Sequence, residues 1–140
     1  MSLDGGFTCD PACQATYGKI NKQKPEIRWA SFEIKDDKIV VTEEEPRDKT
    51  WAAFVESRKP DQPNFSVFDY EYSTADGREC TAKLFVSWIP DRAKVKAKMS
   101  YASAKDGLKK QLGGAVGFTD LQANDLGGLA EEEWKNKLKQ

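Results

Sequence analysis

Three cysteines and a concentration of lysines are the residues of this 140-residue chain whose types suit chemistry. Cys9 and Cys13 stand four apart, a spacing that brings two thiols to one face of a helix, and Cys80 stands alone. A zinc site needs further ligands, and neither a CxxC pair nor a histidine supplies them. The set reads as reduced thiols of a reducing compartment. The chain has no histidine, which removes the commonest general base, the usual activator of a nucleophilic serine or cysteine, and the commonest metal ligand. Carboxylate and lysine chemistry remain, but no acidic pair stands out from the solvated background. The sequence argues against an enzyme and against a metal or cofactor, and turns attention to binding.

The lysines collect in residues 91–112, DRAKVKAKMSYASAKDGLKKQL. On a helical wheel Ala93, Ala97, Tyr101, Ala104, Leu108 and Leu112 fall on one stripe, with i+3 and i+4 spacing. This is a core face, and its alanines permit close approach to a sheet. The other side carries Lys98, Lys105 and Lys109, with apolar Val95 and Met99 among them. Apolar side chains set among lysines, away from the core, describe a partner surface, and methionine adapts well to one. An aromatic platform or arginine stripe for nucleic acid is missing. Periodicity alone leaves a merely solvated face, an acidic protein surface and phosphoinositide headgroups open.

Several elements must position that helix. With 22 basic and 23 acidic residues no overall field draws the chain to nucleic acid or anionic lipid, so any basic site arises from local segregation. The length suits one domain, residues 1–140, with a core of its own. No apolar run approaches the roughly 20 residues that span a membrane, and MSLDGGFTCD lacks the features of a signal peptide. A cytoplasmic protein is expected.

Residues 1–9 read as a flexible arm around Gly5-Gly6. Asp10-Pro11 opens a helix to about Asn21, by a capping side chain and a proline at the first helical position. A hairpin follows over Ile27–Ile34 and Lys38–Thr42, turning at Asp36-Asp37, with Glu43–Pro46 read as a loop. Trp51, Phe54 and Val55 mark a short amphipathic helix. Phe65–Tyr72 and Thr81–Trp88 are strands about a turn at Ala75-Asp76-Gly77. The long helix opens at Asp91 and ends at Gly113-Gly114. A strand near Val116–Leu121 and a helix over Leu129–Leu138 complete an α+β chain, with helices packed on a mixed sheet.

The blocks Trp88-Ile89-Pro90-Asp91, Ala93-Lys94-Val95-Lys96-Ala97-Lys98-Met99 and Tyr101-Ala102-Ser103-Ala104-Lys105-Asp106 resemble, in order, the W-x-P-D, K/R-x-K-M and Y-A-S-x-K-D signature of the ADF/cofilin family. Phe68–Tyr72 is similar to the family's aromatic-acidic strand, Thr50–Phe54 to its short second helix, Asp120–Asp125 to the block before its last helix, and Gly6–Asp10 to the start of its N-terminal segment. The compact spacing is closer to plant and protist forms than to vertebrate cofilins.

The resemblance implies the ADF-homology fold, a central mixed β-sheet flanked by helices, and a protein that binds monomeric and filamentous actin, prefers ADP-bound subunits, and severs and depolymerises filaments. Carried over, the site shared by monomer and filament comprises Gly5, Gly6, Lys96, Lys98, Met99, Lys105 and Asp106. A filament-specific site would use Lys83, through a one-residue gap before Trp88, with Lys135 and Lys137. Lys94, Lys96, Lys98, Lys105 and Lys109 would bind phosphoinositides. A non-severing, coactosin-like member of the fold is the alternative, as is a phosphoinositide-binding module. The chain is expected to act as a monomer without cofactor.

The sequence departs from the family at the regulatory serine, whose place is taken by Gly5 with Ser2 the nearest serine, so the phosphorylation switch is expected to be absent or displaced. Without histidine it cannot use a histidine-dependent pH response. A short insertion around Val116–Thr119 bears on the approach to the last strand and on the balance between severing and binding.

Overall fold

A computed structural model describes residues 7–113 and 117–138. Six strands form one mixed sheet in the order β1-β3-β2-β4-β5-β6, from β1 (Thr8–Cys9), β2 (Ile27–Lys35), β3 (Lys38–Pro46), β4 (Asn64–Ser73), β5 (Glu79–Trp88) and β6 (Phe118–Ala123). The two outer pairs, β1 with β3 and β5 with β6, are parallel, and the inner pairs are antiparallel. Helices α1 (Pro11–Ile20) and α3 (Val95–Leu112) cover one face. Helix α2 (Trp51–Glu56) and α4 (Glu131–Trp134) cover the other.

Alternation along the central strands creates both cores. Phe65 and Val67 of β4, with Phe85 of β5, face α1 and α3, while Phe68, Leu84 and Val86 face α2 and the C-terminal segment. The second face is rich in aromatic rings: Trp51 lies 4.9 Å from Phe54 and 4.8 Å from Trp134, ring centre to ring centre. The β2–β3 turn places Asp36 at φ 52° and Asp37 at φ 62°, the paired left-handed residues of a tight hairpin. The Asp10 side chain accepts from the Ala12 amide at 2.9 Å and starts α1 as expected.

Four expectations are corrected. Residues 7–9 depart from the expected arm, because Phe7 is buried and Thr8–Cys9 pair with β3, where the Asp10 amide donates to the Ile39 carbonyl at 2.9 Å. Gly5, Gly6 and Ser2 lie outside the described residues. Glu43–Pro46 is strand rather than loop. Its acidic residues find distant partners on both faces: Glu43 meets Arg58 at 2.7 Å, and Glu44 meets Thr16 at 2.5 Å and Lys19 at 2.9 Å.

The long helix starts at Val95, not Asp91, because Ile89 and Asp91 keep donating to Ala123 and Asn124 beside β6 before the chain turns. The last expected helix is divided into a 3-10 turn (Leu126–Leu129), α4 and a second 3-10 turn (Lys135–Leu138). Both the Trp51 and Trp134 indoles donate to the Leu129 carbonyl, at 2.8 and 3.3 Å, which draws that carbonyl toward side chains rather than along a helix. Strand β6 begins at Phe118, and Val116 of the expected strand and insertion lies outside the described residues.

Candidate functional site: the outer face of the long helix

Helix α3 is fixed from inside. Tyr101, Ala104, Leu108 and Leu112 are buried against the sheet, as their spacing implies, and Ala97 is half-buried. The Tyr101 ring lies 5.2 Å from Phe65, and its hydroxyl accepts from the Ile34 amide at 2.9 Å, tying α3 to β2. Burial pushes that phenol up to about 12, against the opposing effect of the Ile34 bond. The Gln14 side chain reaches the Gln111 carbonyl at 2.7 Å and joins the C-terminal end of α3 to α1. The helix is a rigid support for whatever its outer face presents.

That outer face carries Val95 and Met99, 71% and 66% exposed, two of three large apolar side chains this open among the described residues. Lys94, Lys96 and Asp106 are exposed around them, and Lys98 and Lys105 are half-buried along one flank. Lys94 and Lys96 also border a hollow of about 280 Å³ floored by Ile34, Ala97 and Tyr101. The first turn has no acidic residue, so the lysines there act on an incoming surface without local neutralisation.

Two assignments change at this face. Lys109 is buried, donates to Asp120 at 2.6 Å and sits 5.7 Å from the Phe85 ring centre. It is withdrawn from the phosphoinositide set, because its ammonium is committed to β6. The wheel explains the misplacement: Lys98, Lys105 and Lys109 lie roughly 60–100° from the centre of the buried stripe, on its border rather than opposite. Lys110 was missed. It is exposed and stands four residues beyond Asp106 on the Met99 face, a spacing visible in the sequence.

Of the residues expected at a filament-specific site, Lys83 and the segment carrying Lys135 are associated with opposite faces of the sheet. Lys83 shares the α1/α3 face with its strand neighbour Phe85 and pairs across to Asp69 at 3.5 Å. Asp69 is itself 1% exposed and held by Arg47 at 2.9 Å. Lys135 follows Trp134, which packs on the opposite face, and β5 turns Ala82, Leu84 and Val86, not Lys83, to that layer. The Lys137 side chain lies outside the described residues. Among the described residues no three potential metal ligands gather, and no helix is long and apolar enough to cross a membrane.

A sequence profile of the cofilin/tropomyosin-type actin-binding protein family matches residues 6–139. The chain is 30% identical to a cofilin of Schizosaccharomyces pombe over 134 residues, covering 95% of both chains. It is 31% identical to an actin-depolymerizing factor of Lilium longiflorum over 122 residues, covering 86% of both. In three dimensions it is similar to the crystal structure of Streptomyces griseoflavus cofilin, with a TM-score of 0.79 and 31% identity over 94% of this chain and 96% of that one.

Proposed function

This chain belongs to the ADF/cofilin family of actin-binding proteins, a family of binders rather than enzymes, and on that premise we propose that it binds both actin monomers and filaments and promotes severing and depolymerisation. The observation that carries the reading is the pair Val95 and Met99, exposed among lysines on a helix locked to the sheet by its other side. An apolar centre with a charged rim, on a rigid element, is the form of a protein-binding surface. Lys96, Lys98, Lys105 and Asp106 supply the rim, and Gly5 and Gly6 of the N-terminal segment complete the contact.

The mechanism is selective binding. A ligand that prefers one filament twist, and ADP-bound subunits within it, shifts the subunit population toward that state. Boundaries between altered and unaltered stretches then become the points of breakage. The same basic face (Lys94, Lys96, Lys98 and Lys105) would take phosphoinositide headgroups in competition with actin. The protein would act as a monomer at the cytoplasmic actin cytoskeleton, and without a serine at Gly5 it would escape the phosphorylation switch placed there.

A second reading is favoured by one observation: Lys83 lies on the α1/α3 face and is drawn to the buried Asp69, away from the face on which Trp134, the neighbour of Lys135, packs. On that reading the chain binds filaments without severing them. Co-sedimentation with filamentous actin decides, scoring both pelleted protein and actin released to the supernatant, beside a Lys96→Ala/Lys98→Ala variant. Binding with released actin, lost in the variant, supports the leading proposal. Binding without release supports the second, and no binding overturns both.

A further inference from the structure

Cys9 and Cys13 are brought together by one residue of β3. Cys9 ends β1 in register with Ile39, and the Cys13 thiol donates to the Ile39 carbonyl at 3.5 Å from the first turn of α1. The Asp10 amide shares that carbonyl, and the Cys13 amide donates back to the Asp10 carbonyl at 2.9 Å, so the five residues from Cys9 to Cys13 fold into one tight corner. Both side chains pack in the same apolar cluster, Cys13 fully buried and Cys9 half-open.

The two thiols are also neighbours of unequal acidity. The neighbouring Cys13 thiol holds the Cys9 thiol below its ordinary value, against burial and the Asp10 carboxylate, which raise it. The Cys9 neighbour, and then burial, push the Cys13 thiol up. One sulfur of the pair is therefore both the more accessible and the more readily deprotonated, and the other is held beside it out of solvent. Cys80 stands apart on β5, in register with Tyr72 of β4.

We propose that Cys9 and Cys13 form an oxidisable dithiol that a hydroperoxide converts to an intramolecular disulfide, with Cys9 attacked first and Cys13 closing the bond. In the first step the Cys9 thiolate attacks one oxygen of hydrogen peroxide. An S–O bond forms as the O–O bond breaks, the sulfur loses two electrons, and the departing hydroxide is protonated to water. In the second step Cys13 gives up its proton and its sulfur attacks the Cys9 sulfenic acid. The S–S bond forms as the S–O bond breaks, and a second water leaves. Two thiols and one peroxide thus yield one disulfide and two waters, and a dithiol reductant reverses the product. The bond would tie the strand that follows Gly5-Gly6 directly to α1.

The test is differential alkylation of the purified full chain after hydrogen peroxide treatment, read by mass spectrometry. Both thiols fall on the tryptic peptide ending at Lys19 and Cys80 on the one ending at Lys83, so the sites are read separately. The expected result is a Lys19 peptide lighter by one H₂ and closed to alkylation until reduced, formed at least several-fold faster than any change at Cys80. Cys13→Ala should leave a Cys9 sulfenic acid that dimedone captures, and Cys9→Ser should leave Cys13 unmodified. The wild-type readout needs neither variant to fold. Alkylation of Cys9 and Cys13 at the Cys80 rate after peroxide would overturn the proposal, as would sulfinic acid at Cys9 without cross-link, or a cross-link only between molecules.

Discussion

The Arg58 guanidinium donates to the Glu43 carboxylate at 2.7 Å from a side chain with no solvent exposure, 4.1 Å above the Phe54 ring. The same guanidinium reaches the Ser31 and Ser66 hydroxyls at 3.3 and 3.2 Å and the Phe54 carbonyl at 3.1 Å. It joins α2 to three strands. Replacing it by an apolar residue leaves the Glu43 charge without its cation, while the Ser31 and Ser66 hydroxyls keep only each other and Glu43. Arg58→Met is expected to cost about 3–5 kcal/mol, read as a fall in the urea midpoint at neutral pH with little change in slope. A loss below about 1 kcal/mol would mean that water replaces the guanidinium.

The same pair predicts a pH dependence. Burial would raise the Glu43 carboxyl, but the Ser31 hydroxyl, the Arg58 charge and bond, and the Trp29 indole outweigh it and hold the group below its usual 4.5. A carboxylate depressed in the fold stabilises it above the unfolded value, and that contribution is lost as pH falls through the lower folded value. Stability should therefore drop below about pH 4.5. Urea midpoints measured across the acid range should fall less steeply for Glu43→Gln than for wild type. Parallel slopes would show that Glu43 does not titrate with unfolding.

What could be read without the structure was local. The cap at Asp10, the Asp36-Asp37 turn, the two hairpins and the buried stripe of α3 each follow from spacing within a few residues. What could not be read depended on partners far away in the chain. Glu43–Pro46 has the composition of a loop and becomes strand because Arg58, Thr16 and Lys19 answer its acids. Lys109 has the composition of a solvated face and is buried because Asp120 arrives on β6. Val95 and Met99, which no packing constrains, stand exposed on the side where the wheel placed them.

The turn between β2 and β3 is occupied by two aspartates in left-handed backbone, a conformation that costs a residue bearing a Cβ more than it costs glycine. Two carboxylates side by side also repel. Asp36→Asn with Asp37→Gly supplies the residues that such a turn favours. The double variant should gain about 0.5–1 kcal/mol, seen as a higher melting temperature with unchanged actin binding. A lower melting temperature would mean that an aspartate here makes an interaction worth more than the strain.

Lys109 and Lys96 separate stability from binding on one helix. Lys109 is buried on Asp120, which remains nearly half exposed, so Lys109→Met should cost about 1–2 kcal/mol. Its effect on binding to phosphoinositide vesicles should be negligible. Lys96 is exposed, and Lys96→Met should leave stability within about 0.5 kcal/mol while weakening vesicle binding. Thermal melts beside vesicle co-flotation give both numbers for each variant. Equal loss of binding in the two would mean that Lys109 leaves Asp120 when lipid arrives.

Met99 isolates the proposed contact most cleanly. Its side chain is 66% exposed on a helix whose fold-bearing contacts lie on the other side, so truncation removes nothing that the monomer uses. Met99→Ala also keeps a strong helix former in place. Melting should therefore stay within the effect of about 0.5 kcal/mol typical of surface changes. An interface anchor of this kind is worth about 1–2 kcal/mol, so actin affinity should fall about tenfold in a co-sedimentation titration. If affinity is unchanged while Lys96→Ala/Lys98→Ala abolishes binding, the contact is electrostatic and the apolar centre of the surface lies elsewhere. If melting falls with affinity, Met99 supports the fold, and its exposure is not the signature of a partner.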